Sequence, residues 1–378
     1  MNHKKWIGSV FIAMLTLTVT VLNVLANGKP VKKVVIGYVG GYNGIFDVSM
    51  IDANKLTHIN YAFVDIKNGE AWLHNEATDT VNFRMLNSLK KINPSLKILI
   101  SIGGWAWSEN FSDAVLTEAA RKKFAASAVD IMEKYNLDGV DIDWEYPAIP
   151  GEEGNVYRPE DTRNFTLMFK ALREALDEAG KKDGQHYLLT AAVGASTRNV
   201  ETTEMDQVAT YMDYINLMTY DYKTGGSKIA GHHANLYGST DNPDESSADR
   251  SVKAYIAAGV PPSKIVLGLA FYGRAWKMPS GKNLGLNETP ESAAWGGGYT
   301  KIKDTLMKTG GYKYYWDKKA QAPYLFNEND KIFITMDDEK SVKIKCKYVK
   351  KNGLAGVMFW EYSSDPKGYL LTTVHNNL

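Results

Sequence analysis

The sequence predicts an α/β protein built on a (β/α)8 TIM barrel, with a small α+β insertion domain between the seventh strand and the helix that follows it. Three observations predict this. From Lys33 onward, short β-branched runs alternate with amphipathic helical stretches, the signature of parallel βα units. Several of those runs are almost continuously apolar, as strands buried on both faces require. Late in the chain a gap of more than sixty residues breaks the rhythm. A structureless loop of that length does not suit a compact domain, whereas a small inserted domain does.

The first element lies outside the barrel. Lys4 and Lys5 precede an apolar run from Trp6 to about Leu25, and Val24-Leu25-Ala26 offers small residues for cleavage. Residues 1–26 therefore read as an export signal peptide. Thr16, Thr18, Thr20 and Asn23 interrupt the run and argue against a retained membrane span. The expected protein is secreted or extracytoplasmic, with no stable membrane insertion after cleavage.

The strand expectations are Val34–Val39, Thr57–Val64, Lys97–Ile102, Gly139–Glu145, Tyr187–Val193, Tyr214–Tyr220, Ile265–Tyr272 and Ala355–Trp360. Helical patterns occupy Glu118–Tyr135, Pro159–Ala179, Glu245–Ala258 and Glu339–Lys351. The barrel takes residues 33–273 and 335–378, and the insertion takes 274–334, rich in aromatics such as Trp276, Trp295, Tyr314 and Trp316. In this architecture chemistry sits at the C-terminal ends of the strands.

Composition narrows the partners. Formal net charge is +1, from 44 basic and 43 acidic residues. Nucleic acid or an anionic membrane surface usually demands a basic excess, so neither is expected, and an uncharged partner fits. The single cysteine, Cys346, excludes an internal disulfide, and its lysine-rich helical surroundings read as structural. Asn110, Asn164 and Asn287 begin glycosylation tripeptides, which matter only in a host that glycosylates its exports.

The strongest signal runs from Leu137 to Pro147, LDGVDIDWEYP. Asp141, Asp143 and Glu145 are spaced by two, so along a strand all three side chains face the barrel interior. Asp138 has the opposite parity and reads as structural. Three enclosed carboxyls cannot all ionise cheaply, because like charge and desolvation raise at least one pKa. A proton held in this way is what a general acid requires, and Glu145, nearest the strand's C-terminal end, is the candidate. A self-neutralising buried cluster or a divalent-metal site are the alternatives. No nearby His completes a transition-metal site, and no metal or cofactor is expected.

These residues carry a family resemblance. Asp138-Gly139-Val140-Asp141-Ile142-Asp143-Trp144-Glu145 matches the DGxDxDxE signature of glycoside hydrolase family 18, the chitinase family. Ser101-Ile102-Gly103-Gly104-Trp105 resembles its SxGGW, and Met218-Thr219-Tyr220-Asp221 its MxYD. Phe271-Tyr272-Gly273-Arg274 resembles the entry to its insertion domain, and Gly356–Glu361 the end of its last strand. The resemblance covers nearly all of the chain beyond the signal and places it in the subgroup with a chitinase insertion domain, which walls one side of the cleft.

The resemblance implies a chitinase that hydrolyses β-1,4-linked N-acetylglucosamine polymers or oligomers with retention, through a substrate-assisted oxazolinium intermediate. Glu145 would be acid and then base. Asp143 would hold the acetamido N–H, Asp141 would tune Asp143 from behind, and Tyr220 would hold the acetamido oxygen. Asp221 would help distort the sugar and Trp360 would floor it. Trp105, Tyr38, Tyr272 and Arg274 would line subsites, with Met218 and Tyr146 as further substrate contacts. The expected enzyme is a monomer whose partner is chitin or its oligosaccharides. A non-catalytic chitin-binding lectin, an endo-β-N-acetylglucosaminidase acting on N-glycans, and a wall hydrolase are the alternatives.

Overall fold

The computed structural model describes residues 33–239 and 246–378. The segment read as an export signal lies outside the described residues.

Eight strands form the barrel: Val34–Gly40, His58–Lys67, Lys97–Gly103, Gly139–Asp143, Leu188–Gly194, Tyr214–Met218, Ile265–Ala270 and Gly356–Trp360. They are called here strands one to eight. Each pairs in parallel with the next. Strand eight pairs with strand one, Val34 opposite Gly356, which closes the barrel.

Alternation along each strand sorts the side chains into two cores. Val140 and Ile142 of strand four point outward into the large core between barrel and helices. Ile36, Tyr38, Ala62, Ala192, Val266 and Met358 pack together as the smaller inner core. The helices turn their apolar stripe onto the outer core: Phe124, Ala125, Ala128 and Met132 are the buried face of Glu118–Lys134. The Thr117 side chain caps that helix by accepting the Ala120 N–H. Helix Asp161–Asp183 runs four residues beyond expectation because its stop signal is Gly184, in the left-handed conformation at φ 67°.

Three strands end earlier than their apolar patterns suggest. Strand four stops at Asp143, strand six at Met218 and strand seven at Ala270. Glu145, Tyr220 and Tyr272 therefore lie on the loops that follow.

The late gap holds a second, antiparallel sheet. Its strands lie in the order Ser292–Ala294, Arg274–Lys277, Ile332–Thr335, Ala322–Asn327, Tyr312–Asp317. It has its own core, with Trp276, Phe326 and Phe333 on one face and Ala275, Leu325 and Ile334 on the other. Asp337, at the exit, is fully buried with Lys345 and also accepts the backbone N–H of Ala270 at 3.2 Å. That contact pins the exit of the segment to the end of strand seven.

Cys346 is buried in the outer core, and burial pushes its thiol up to about 12. It is a packing residue, as the sequence suggests.

Candidate active site

The carboxyl cluster is held by the ends of strands three to six. Strand register puts Ser101 and Thr190 level with Asp141 on either side. Asp141 accepts from the Ser101 hydroxyl at 2.7 Å, the Tyr38 hydroxyl at 2.9 Å and Asn216 Nδ2 at 3.3 Å, and from the Thr190 hydroxyl. Burial pushes its carboxyl up to about 6, and the hydrogen bonds work the other way. Asp143 is raised well above the carboxylate range, first by burial and then by the charges of Glu145 and Asp141. Its Oδ1 is buried without a hydrogen-bond partner among the described residues.

Glu145 reaches the site by a different route from the one expected. It sits past the strand, so strand parity does not place it. Trp144 turns down between Phe111, stacked at 5.1 Å, and Phe165 at 6.0 Å. Ser108 Oγ accepts the Glu145 N–H at 2.9 Å and donates to the Gly104 carbonyl at 2.8 Å. Gly104 N–H in turn donates to the Asp143 carbonyl at 2.7 Å. The SIGGW segment thus braces the turn that delivers Glu145. Its glycines are needed for this: Gly103 has φ 105°, and a Cβ there would lie 2.4 Å from the Asp143 carbonyl oxygen. The Glu145–Tyr146 peptide is cis, as are Ala62–Phe63 and Trp360–Glu361. Burial pushes the Glu145 carboxyl up to about 7, with the charge of Asp221 adding to it and a hydrogen bond from Tyr146 opposing.

Above the carboxyls lies a cleft of about 960 Å³. Eleven of the twelve sequence-predicted site residues line it: Glu145, Asp143, Tyr220, Trp360, Asp221, Met218, Trp105, Tyr38, Tyr272, Arg274 and Tyr146. Asp141 lies beneath, fully enclosed. Among the described residues the Tyr220 hydroxyl meets only the weak acceptor Met358 Sδ, at 3.7 Å, and burial keeps it a neutral donor by raising it well above the tyrosine range. Trp360 lies nearly parallel to Phe63, 17° apart with centroids at 5.5 Å, and meets Tyr38 at 5.8 Å. Trp105 is half-exposed, edge-on to Tyr146 at 6.5 Å.

Asp221 is gripped by Arg274, while His233 Nδ1 lies 3.4 Å away. Burial acts upward on Asp221, but the nearby His233 imidazole and the hydrogen bonds and charge of Arg274 outweigh it and hold the carboxyl well below its usual range.

One expectation needs correction. The inserted segment's aromatics do not wall the cleft: among residues 274–334 only Arg274 is a lining residue. Trp276 is instead fully buried in the inserted sheet, and Trp295, 67% exposed, is not among the lining residues. Sequence reasoning also missed Tyr42, Phe63, Trp107 and the Thr224–Gly226 stretch, all of which line the cleft. Tyr42 follows strand one and Phe63 lies within strand two, and an aromatic residue in or just after a barrel strand was the signal available for each. Among the described residues no cluster of His, Cys, Asp and Glu is arranged to hold a metal ion.

Comparison with known proteins agrees with this geometry. Residues 34–365 match the family model for glycosyl hydrolases family 18. The chain is 38% identical to chitinase A1 of Niallia circulans, over 88% of this chain and 56% of that protein. This chain therefore spans little more than half of that relative's length. Among solved structures, a glycoside hydrolase family 18 N-acetylglucosaminidase from Paenibacillus barengoltzii superposes with a TM-score of 0.85 at 42% identity, over 92% of this chain and all of that one. A chitinase from Bacillus thuringiensis gives 0.86 at 34% identity, over 92% of this chain and 69% of that one.

Proposed function

The chain belongs to family 18 of the glycosyl hydrolases, and from that premise we propose that it is a secreted chitinase cleaving β-1,4-linked N-acetylglucosamine chains by a retaining, substrate-assisted mechanism. One observation carries the reading. Beside Glu145 the cleft offers, among the described residues, an unpaired acceptor, Asp143 Oδ1, and a hydroxyl donor facing only a thioether, Tyr220. A 2-acetamido group supplies the complement, an N–H for the first and a carbonyl for the second.

The steps follow from these groups. Glu145, holding its proton near neutrality, passes it to the glycosidic oxygen as the bond from that oxygen to the anomeric carbon breaks. The acetamido carbonyl oxygen, fixed by Tyr220, forms the new bond to the anomeric carbon and closes an oxazolinium ring. Asp143 accepts the acetamido N–H and balances the positive charge, while Asp141 sets the charge state beneath it. Water then attacks the anomeric carbon as its bond to the acetamido oxygen breaks, which reopens the ring and regenerates the neutral acetamido group; the water gives its proton to Glu145, which restores the acid and leaves the β-configuration. Trp360 floors the reacting sugar, and Trp105, Tyr38, Tyr272, Met218 and Tyr146 hold its neighbours. Residues 274–334 act as an insertion domain that supplies Arg274.

Digesting the soluble N-acetylglucosamine hexamer and cellohexaose, with the fresh products followed by proton NMR, tests this. The reading expects β-anomers from the first and no cleavage of the second. Initial α-anomer, or rapid cutting of cellohexaose, rules it out. The product length also separates chain cutting from release of single units, the activity named for the Paenibacillus relative. Export is tested by the mass of protein in the medium, expected to begin at Asn27.

A further inference from the structure

His233 is a buried titratable group that the mechanism above does not use. It follows His232 in the loop after strand six, and both side chains are fully buried. Their rings serve different places. His232 Nε2 lies 3.4 Å from Asp317 of the inserted sheet, and its ring meets Tyr324 at 5.8 Å. His233 Nδ1 lies 3.4 Å from Asp221 Oδ1, and its ring tilts against Tyr272 at 5.3 Å. The His233 backbone is fixed on both sides: its N–H donates to Thr335 Oγ1 at 3.3 Å, and its carbonyl accepts from Tyr222 N–H at 3.1 Å. The ring therefore has little freedom to look elsewhere.

Yet neither ring nitrogen has a hydrogen-bond partner of normal geometry among the described residues. An unpaired buried nitrogen is costly, and proteins keep such groups mainly where a function uses them. Contacts at a site without substrate are often long and tighten when substrate binds. The charged and titratable groups around the ring are Asp221, Arg274, Asp337 and Tyr272. Burial lowers the imidazole below its ordinary value, which favours a neutral ring with one N–H to give.

We propose that His233 is a positioning residue: its neutral imidazole donates from Nδ1 to Asp221 Oδ1 and, opposite Arg274, fixes that carboxylate against the sugar when the cleft is occupied. This rests on the hydrolytic reading above. The carboxylate oxygen has room for both donors, since each oxygen carries two lone pairs.

Three variants separate this from a packing role. His233→Phe keeps the ring against Tyr272 and removes both nitrogens. His233→Asn keeps a donor where Nδ1 sits, and His233→Gln places one nearer Nε2. On the N-acetylglucosamine hexamer, the Phe and Gln variants lose about tenfold in kcat, with KM within about twofold, and the Asn variant stays within about threefold of wild type. In an Asp221→Asn background the Phe substitution has no further effect. Full kcat in the Phe variant, equal loss in Asn and Gln, or additive losses with Asp221→Asn would each overturn the inference. If the Phe variant does not fold, the Asn and Gln contrast decides. An arm independent of turnover uses protein carrying ¹⁵N-labelled histidine. His233 is expected as the Nδ1–H tautomer, with a resonance that moves in Asp221→Asn. The other tautomer, or an unmoved resonance, defeats the inference even if wild type cuts. A wild type that does not cut, with the expected resonance, defeats only the hydrolytic reading.

Discussion

Arg274 holds Asp221 with two parallel hydrogen bonds, Nε to Oδ1 at 2.8 Å and Nη2 to Oδ2 at 2.6 Å. The fork joins the first strand of the inserted sheet to the turn after strand six, where Asp221 sits at φ 57°. It also fixes a negative charge whose field helps to hold the proton on Glu145.

The sign of that field is testable. Asp221→Asn removes the charge, lowers the Glu145 pKa, and moves the alkaline limb of kcat/KM to lower pH. Arg274→Met leaves the carboxylate uncompensated and moves the limb to higher pH. Profiles of soluble-oligomer hydrolysis against pH distinguish the two, and shifts in one common direction would refute the assignment.

In the wild type the alkaline limb belongs to Glu145 itself. Activity in kcat/KM falls as pH rises through about 7, where Glu145 loses its proton. A plateau extending well above that pH would mean that another group is the acid.

The same raised pKa works against stability. The Glu145 carboxyl goes from 4.5 to about 7 on folding, so the folded state binds the proton more tightly. Its favourable contribution is complete below the unfolded pKa and is lost as pH rises through the folded one. Glu145→Gln cannot ionise. Relative to wild type it gains about 3 kcal/mol between pH 4 and pH 8. Denaturant melts at the two pH values check this, and an equal difference at both would exclude the linkage.

Gly103→Ala tests the brace behind Glu145. The substitution forces a side chain into a positive-φ position and against the Asp143 carbonyl. It costs about 2 kcal/mol or more and lowers activity with it. Thermal melts and hydrolysis together read the effect, and a neutral alanine would mean that the turn is not held by this contact.

Much of this was legible because local pattern and global fold agree. In runs such as Lys97–Ile102 the apolar residues Ile98, Leu99, Ile100 and Ile102 fill both the inward and the outward positions that a closed parallel barrel buries, so the strands could be read directly. The carboxyl triplet was legible from its spacing, but its delivery was not. A period of two continued through Trp144 and Glu145, and only tertiary packing, with Trp144 drawn between Phe111 and Phe165, ends the strand at Asp143. The donors around Asp141 were hidden for another reason. Ser101 and Thr190 are ordinary small polar residues in sequence, and become ligands of one carboxylate only once register sets them level with it. The aromatics of the inserted segment misled because composition says nothing of direction: Trp276 fills its own sheet. His233 lies in a loop without periodicity, where no pattern reports on partners.

The central claim is that Glu145 is the acid of a substrate-assisted hydrolase. It is tested most directly by comparing wild type with Glu145→Gln on N-acetylglucosamine oligomers, measuring both cleavage and binding. The account predicts cleavage by wild type, a loss of about 10²-fold or more in the variant, and retained binding of the oligomer. Undiminished cleavage by the variant, or a wild type that binds the oligomer without cutting it, would contradict the claim.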